Sequence, residues 1–152
     1  MVNHINENLE YISRNIFDRF PERRKILQSG FDAHKQHDYY ASIPIFLSQA
    51  DGLCNQITGY KFYSKEKKIP KIARSVNGLK KGTFSYITLQ PLTICNSITA
   101  NEDESNLYEG LLNRHKVLHG ISLDYGTEVN SCKSISIINF VGDIIWESDI
   151  KK

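Results

Sequence analysis

The sequence has no apolar run approaching the ~18 consecutive residues that a membrane-spanning helix needs. Its first residues, Met1 to Asn8, also lack the basic start and apolar stretch of a signal peptide. We therefore expect a cytoplasmic protein that does not enter a membrane. The chain also contains no internal repeat, which excludes a solenoid of stacked repeats.

Cysteine is scarce and scattered. Cys54, Cys95 and Cys132 are odd in number and far apart, and no Cys-x2-Cys pair occurs. A disulfide framework needs an even set, and a cysteine zinc site needs closely spaced pairs, so the sequence supports neither. We predict that all three are small buried apolar residues, and we expect no metal and no cofactor.

The apolar pattern is mostly helical. At 152 residues with 40% hydrophobic content, the chain is expected to form one domain, 1–152. The stripe from Ile5 to Phe17 predicts a first helix of about 13 residues. Pro21 is suited to the first turn of a second helix, which is predicted to end in the polar stretch 34–38.

Two longer helices are predicted to form the centre of a bundle. Asp38 is expected to cap a third helix that runs to Ile57 and is apolar almost all round. Pro44 lies near its start and predicts either a late start or a local kink. Thr127 is expected to cap a final helix that runs to Trp146, although Gly142-Asp143 weakens the pattern in its last turns.

The segment from Gly59 to Gly82 is strongly basic. It holds eight lysines and arginines against Glu66 alone, a net charge of +7, whereas the whole chain is only +2. Such asymmetry predicts a loop that binds a polyanion, and Tyr60, Phe62 and Tyr63 are candidates for stacking on bases. The alternative is a solvated, mobile loop. The predicted RNA contacts are Lys65, Lys67, Lys68, Lys71, Arg74, Lys80 and Lys81.

Residues 83–99 fit a short strand and a helix equally well, and Pro91 interrupts either element. We expect mixed structure there, including a small hairpin after Gly82 that would leave the all-α class unchanged. Residues 101–105 are predicted to form an acidic loop.

Residues 113–120, Asn-Arg-His-Lys-Val-Leu-His-Gly, form the densest run of chemically capable side chains. Arginine presents a planar fork of donors to phosphate, and histidine can give or take a proton near neutral pH. In a regular helix Arg114 and His119 are roughly 140° apart, whereas His115 and His119 share one face. Either the helix ends near Gly120 and its last turn redirects His119, or two copies of the motif meet in a dimer.

This motif resembles the Arg-x4-6-His signature of HEPN (higher eukaryotes and prokaryotes nucleotide-binding) domains, with His115 in the polar position after Arg114 and His119 as the histidine. The run through Asp124-Tyr125-Gly126-Thr127 and Asn130-Ser131-x-Lys133 is similar to a bacterial branch associated with defence and abortive infection. Residues 24–52 are also similar to that branch. The resemblance covers about half the chain. It implies an all-α, HEPN-like helical bundle, to which the charge pattern of residues 59–82 adds a long basic loop.

The activity that the resemblance implies is a metal-independent endoribonuclease acting as a homodimer, with one composite cleft. Arg114 would hold the scissile phosphate, and His119 would be the acid or base for attack by the RNA 2′-hydroxyl. His115 would bind phosphate or orient the partner, with Asn113 and Tyr125 in supporting positions. The expected partners are RNA, a second copy of the chain and an antitoxin or other defence-system protein.

The motif residues also have purely structural interpretations. Arg114 is able to pair with Glu109 or Asp124, or with Asp51 if that carboxylate is buried, and His119 is able to bind the last carbonyls of its helix. A non-catalytic RNA-binding or protein-interaction module of the same fold is therefore the alternative function.

Two histidine pairs raise the question of metal binding. His115 and His119 have a spacing that suits zinc, but neither a third ligand nor the glutamate of a zinc-protease motif is present. His34 and His37 lie at a polar helix end, and we predict that both are surface residues.

Overall fold

A computed structural model describes residues 1–108 and 110–150, and these residues are mostly helical. The all-α class predicted from the sequence is confirmed. Two short antiparallel strands are present, β1 (Lys65–Glu66) and β2 (Ile69–Pro70). The α-helices are α1 (Val2–Glu7), α2 (Leu9–Arg19), α3 (Arg24–Lys35), α4 (Tyr39–Thr58), α5 (Ala73–Asn77), α6 (Phe84–Leu89), α7 (Glu102–Ser105), α8 (Arg114–Leu118) and α9 (Glu128–Asn139). Turns of 3-10 helix cover Pro21–Arg23, Gln90–Thr93 and Asn106–Tyr108, and a π-helical stretch, Phe140–Ile145, continues α9.

The predicted first helix is in fact two helices, which meet at Asn8. The side-chain Nδ2 of Asn8 donates to the His4 carbonyl oxygen at 2.8 Å. The backbone N–H of Asn8 donates to the same oxygen at 3.2 Å. Asparagine competes for backbone groups in this way and interrupts helices. The apolar stripe still faces the core as predicted, with Ile5, Leu9, Ile12, Ile16 and Phe17 all buried.

Helix α4 begins where the sequence predicted. The Asp38 carboxylate accepts a hydrogen bond from the Ala41 N–H at 3.2 Å, and α4 starts at the next residue, Tyr39. The late start considered for Pro44 is therefore wrong, since this proline lies inside the helix. Gly59 ends α4 with a φ of +82°, a conformation that favours glycine.

Helix α9 also begins at its predicted cap. The Thr127 hydroxyl accepts from the Asn130 N–H at 3.2 Å, and the helix runs from Glu128 to Asn139. The π-helical stretch carries Gly142 past Ile16, where a Cβ would lie only 3.1 Å from the isoleucine side chain. The Arg19 guanidinium donates to the Gly142 carbonyl at 2.7 Å. These contacts fix the last turns, which the sequence pattern left uncertain.

The centre of the bundle is α4, which packs against α3 and α9. Gly30 allows α3 to approach closely, because a Cβ there would lie 3.0 Å from both Ile45 and Phe46. The Phe31 and Phe46 rings meet at 4.9 Å between centroids. Burying each such side chain contributes about 1.5–3 kcal/mol, so this contact stabilises the bundle substantially. The predicted central position of the third and final helices is confirmed.

A chain of polar side chains crosses this core. His34 is only 5% exposed, so the prediction that it is a surface residue is wrong, whereas His37 is exposed as predicted. His34 Nδ1 lies 2.8 Å from Ser131 Oγ, and its Nε2 lies 3.1 Å from Asn6 Oδ1. Because Asn6 Nδ2 donates to Glu128, the oxygen of Asn6 faces His34, and Nε2 therefore carries the proton. His34 thus joins α1, α3 and α9.

The basic segment is more ordered than the sequence predicted. Strands β1 and β2 lie within it, at 65–70, so the small hairpin occurs here rather than after Gly82. Residues 84–93 are helical instead of mixed, because the Thr83 hydroxyl caps α6 through the Tyr86 N–H. The predicted acidic loop at 101–105 contains α7.

The cysteines divide into two groups. Cys54 and Cys132 are buried as predicted, and burial raises the pKa of the Cys54 thiol to about 12. Cys95 is only half-buried and accepts a hydrogen bond from the Lys65 ammonium, so it is not a simple apolar core residue.

Candidate functional site

The motif lies on α8, a helix of five residues whose start is fixed by Asn113. The side-chain oxygen of Asn113 accepts from the Lys116 N–H at 2.9 Å. Its Nδ2 donates to the carbonyls of Ser97 and Ala100 at 2.7 and 3.1 Å. Asn113 is 3% exposed, so its bond to Ala100 is buried and the other two are partly shielded from water. This residue therefore caps the helix and anchors it to residues 97–100.

The helix ends near Gly120, which is one of the two alternatives that the sequence left open. Leu118 is its last residue, His119 is the C-cap, and Gly120 has a φ of +70°. The N–H of Ile121 then donates to the Lys116 carbonyl at 2.8 Å, which closes the last turn. A side chain at Gly120 would be strained, because residues with a Cβ rarely adopt a positive φ.

Arg114 is held against Tyr63. Its guanidinium carbon lies 4.5 Å from the centroid of the Tyr63 ring, within the range of a cation–π interaction. The Nε of Arg114 and the hydroxyl of Tyr63 are both buried, and neither has a hydrogen-bond partner among the described residues. Burial raises the pKa of Tyr63 well above its usual value, although the nearby guanidinium acts in the opposite direction.

The ion pairs predicted for Arg114 are not observed among the described residues. Asp124 accepts instead from the Ser122 hydroxyl at 3.3 Å, and Asp51 accepts from the Tyr63 N–H at 3.1 Å. The remaining predicted partner, Glu109, lies outside the described residues. Within residues 1–108 and 110–150, Arg114 therefore has donors but no anionic acceptor.

The two motif histidines lie together. The rings of His115 and His119 are 4.3 Å apart between centroids and inclined by 39°. His115 is half-buried and His119 is exposed. His119, at the end of the helix, thus remains beside His115. The guanidinium of Arg114 is directed to Tyr63. No three His, Cys, Asp or Glu side chains in the described part of the chain come together as a metal site.

The lysines of the basic segment occupy different environments. Lys67 and Lys68 form the turn between β1 and β2, with φ angles of +50° and +68°, and both are exposed. Lys71, Lys80 and Lys81 are exposed as well. Arg74 is exposed and donates to the Glu66 carboxylate at 2.6 Å. Five of the seven predicted RNA-contacting cations are therefore exposed without an ion-pair partner among the described residues.

Lys65 differs from the other predicted RNA contacts. Its side chain is only 4% exposed, and its ammonium bonds to Glu104 and to Cys95. Burial alone would lower the pKa of Lys65, but the bonds with Cys95 and Glu104 outweigh burial and raise it. The same ammonium, with the Asn101 N–H, lowers the pKa of Glu104 to about 2. Lys65 therefore ties β1 to α7 rather than facing solvent.

The predicted base-stacking aromatics are mostly internal. Phe62 and Tyr63 are 9% and 5% exposed, and Tyr60 is half-buried against the core. The prediction that Phe62 and Tyr63 stack on bases is therefore wrong, since neither offers a free ring face. The apolar character of these residues is as typical of a buried core as of a base-binding surface, so the sequence did not distinguish the two.

A cleft of about 460 Å³ adjoins the motif, and the sequence did not reveal it. It is lined by the Asn113, Lys116 and Val117 side of α8, by the loop from Ile121 to Tyr125, and by Asn130 of α9. Local signals identified the caps at both ends of this region, but the loop in between carries no periodicity. The cleft places Lys116 and Asp124 beside the motif helix.

Comparisons with known protein families, with curated proteins and with solved structures found no match. The resemblance to HEPN domains therefore rests on the motif residues themselves. Within the described residues, no helix is both long and apolar enough to cross a membrane.

Proposed function

We propose that the chain is a metal-independent endoribonuclease that works as a homodimer. The observation that carries this proposal is the Arg114 guanidinium, held over Tyr63 with a buried Nε that lacks an acceptor among the described residues. An unpaired buried donor costs about 1–3 kcal/mol. Arg114 as a residue is only half-buried, so part of it is accessible, and a phosphate oxygen is a suitable acceptor for a guanidinium. The adjoining rings of His115 and His119 lie at the end of the same short helix.

In the proposed reaction the RNA 2′-hydroxyl attacks the adjacent phosphorus. A bond forms between the 2′-oxygen and phosphorus, and the bond between phosphorus and the 5′-oxygen breaks. One histidine accepts the 2′-hydroxyl proton, and another donates a proton to the departing 5′-oxygen. Arg114 neutralises the charge that develops on the phosphate. The products are a 2′,3′-cyclic phosphate and a 5′-hydroxyl, and DNA is not a substrate because it lacks the nucleophile.

The directions of these side chains favour a site shared between two copies. Within one chain, Arg114 faces Tyr63 while His119 remains against His115. A two-fold axis near α8 would bring the arginine of one copy towards the histidines of the other. Leu118, on the motif helix, is 40% exposed and would be covered by such a contact.

The first test is cleavage of single-stranded RNA in the presence of EDTA. We expect the wild type to remain active, and Arg114→Lys and His119→Ala to lose about a hundredfold or more in rate. His4→Ala is the control, because His4 is also exposed but lies on α1. Full activity in both motif variants, or a complete loss of activity in EDTA, would contradict the mechanism.

The second test addresses the shared site. Chains with Arg114→Ala are mixed with chains carrying His119→Ala, and heterodimer formation is checked by differential tagging. The mixture should recover cleavage that neither variant has alone, because one combination restores Arg114 and His119 from different copies. A strictly monomeric active enzyme in sedimentation would remove the dimer from the proposal.

RNA binding without cleavage is the second candidate. It is favoured by the exposed Lys67 and Lys68 at the hairpin turn, and by the packing of the Arg114 guanidinium against Tyr63. A binding module would retain RNA affinity in His119→Ala and show no product from the wild type.

A defence role with an antitoxin partner is a proposal that follows from the resemblance. Expression of the wild type, but not of His119→Ala, should then arrest growth and fragment cellular RNA.

A further inference from the structure

The cleft beside α8 has the size of a small-ligand site. Its volume of about 460 Å³ is within the range of roughly 300–1,000 Å³ that is usual for such pockets. It is bounded by α8, by residues 121–125 and by the first turn of α9. Nothing in the proposed cleavage chemistry uses it, since Arg114, His115 and His119 do not line it.

Two opposite charges line the cleft without pairing. Lys116 and Asp124 form no ion pair with each other, and within the described residues neither has another charged partner. Among the described residues, Asp124 accepts one hydrogen bond, from the Ser122 hydroxyl at 3.3 Å. A ligand with an anionic group and N–H donors would therefore complement Lys116 and Asp124.

The walls of the cleft are partly apolar. Leu111, Ile121 and Leu123 line it and remain 52%, 51% and 81% exposed. Leaving three aliphatic side chains in water is unfavourable, and covering them with an apolar ring face would release that water. The lining thus suits a flat ring between a cationic and an anionic contact.

A nucleotide combines these features, and the carboxylate selects among the bases. A carboxylate is able to accept two parallel N–H bonds. Guanine presents two neighbouring donors on its Watson–Crick edge, N1–H and the 2-amino group, whereas adenine, cytosine and uracil present only one donor position there. We propose that the cleft binds a guanosine nucleotide of single-stranded RNA, with its phosphate at Lys116 and its base edge at Asp124.

The inference rests on RNA being the substrate, and it adds a preference for a particular base. Lys116 lies between His115 and His119 in the sequence, at the end of α8, so an RNA strand whose phosphate is held at Lys116 would pass the helix that carries the histidine pair. A guanosine in the cleft would then set which phosphate reaches the site. Cleavage is expected next to unpaired guanosine, where the Watson–Crick edge is open to recognition.

The test is calorimetric titration of the whole chain with guanosine 5′-monophosphate and with the adenosine, cytidine and uridine monophosphates. We expect tighter binding of the guanosine nucleotide by roughly tenfold or more, as for one bidentate base contact. Asp124→Asn should remove that preference, and Lys116→Gln should weaken all four nucleotides. The matched controls are Asp18→Asn on α2 and Lys25→Gln on α3, both exposed and distant from the cleft lining.

Xanthosine 5′-monophosphate shows whether a loss in Asp124→Asn is specific. This nucleotide has an oxygen in place of the 2-amino group, so it should bind the asparagine variant better than the wild type. Equal affinity of the wild type for all four nucleotides, or a variant that loses guanosine without gaining xanthosine, would overturn the inference.

The titration also separates this inference from the ribonuclease proposal. Guanosine binding without RNA cleavage would leave the cleft assignment standing and remove the catalytic function. RNA cleavage by a chain that does not distinguish the four nucleotides would leave the catalytic function standing and remove the cleft assignment.

Discussion

The hydroxyl of Tyr125 donates a hydrogen bond to the backbone carbonyl of Tyr40, 3.2 Å away. In a regular α-helix that carbonyl accepts the N–H four residues later, but the residue there is Pro44, which has none. The loop before α9 thus supplies a donor that α4 lacks. Gly126 makes the contact possible, because a Cβ there would overlap the Tyr40 ring. One wall of the cleft is therefore fixed to the central helix.

Replacing Tyr125 with phenylalanine should lower the free energy of unfolding by about 0.5–1 kcal/mol, since the hydrogen bond that this removes is solvent-exposed. The loss should be smaller in a Pro44→Ala background, where the new N–H is able to serve the Tyr40 carbonyl. Urea denaturation of the four chains measures this coupling. Tyr11→Phe is the control, because its ring is 64% exposed. Equal losses in both backgrounds would disprove the link to Pro44.

His34 should make stability depend on pH. Burial lowers the pKa of His34, with His37 acting in the same direction and Glu128 in the opposite one. The unfolded chain therefore binds a proton more tightly, and stability should fall as pH drops below about 6.5, the ordinary histidine value. The decline ends below the lowered pKa of the folded state. His34→Gln should flatten the profile in denaturation from pH 5 to 8, and His4→Gln should not.

The buried pair of Lys65 and Glu104 should be sensitive to loss of one partner. Lys65→Met leaves the carboxylate buried without its cation and should cost about 3–5 kcal/mol, while adding Glu104→Gln should recover part of that loss. The matched control is Arg74→Met. Its pair with Glu66 has side chains 69% and 49% exposed, so the cost should be at most about 1 kcal/mol.

The same pair predicts sensitivity to acid. The pKa of Glu104 falls from 4.5 to about 2 on folding. The pair should therefore contribute fully above about pH 4.5, and its contribution should disappear as pH falls towards 2. Glu104→Gln should lose this part of the acid transition; an unchanged transition would show that the carboxylate is not held by Lys65.

The exposed lysines should govern the salt dependence of RNA binding. Replacing Lys67, Lys68 and Lys71 with glutamine should lower the slope of log affinity against log salt by roughly 0.7 for each phosphate that the protein no longer neutralises. Filter binding of a polyuridylate probe measures the slope. A chain with Arg14→Gln and Lys25→Gln is the control, since these exposed cations lie on α2 and α3. If both chains change alike, the hairpin has no special role.

Features that depend on neighbouring residues could be predicted from the sequence. The caps Asp38 and Thr127 act on N–H groups three residues ahead, so their effect is visible in a short window. The apolar patterns of α4 and α9 likewise showed that these helices lie at the centre. The motif residues 113–120 were also visible in the sequence, where an end of the helix near Gly120 was one of two alternatives.

Features that depend on distant partners were decided by the tertiary structure. His34 looked like a surface residue because its partner Ser131 lies 97 positions away. Lys65 looked like a phosphate-binding residue because Glu104, the partner that holds it in the interior, lies 39 positions further on. The place of Arg114 over Tyr63 follows from the packing of α8 near α4, which no local pattern encodes. The residue type alone does not decide whether a polar side chain is buried or exposed. It is buried where another group of the protein satisfies its hydrogen bonds, and that group is often distant in the sequence.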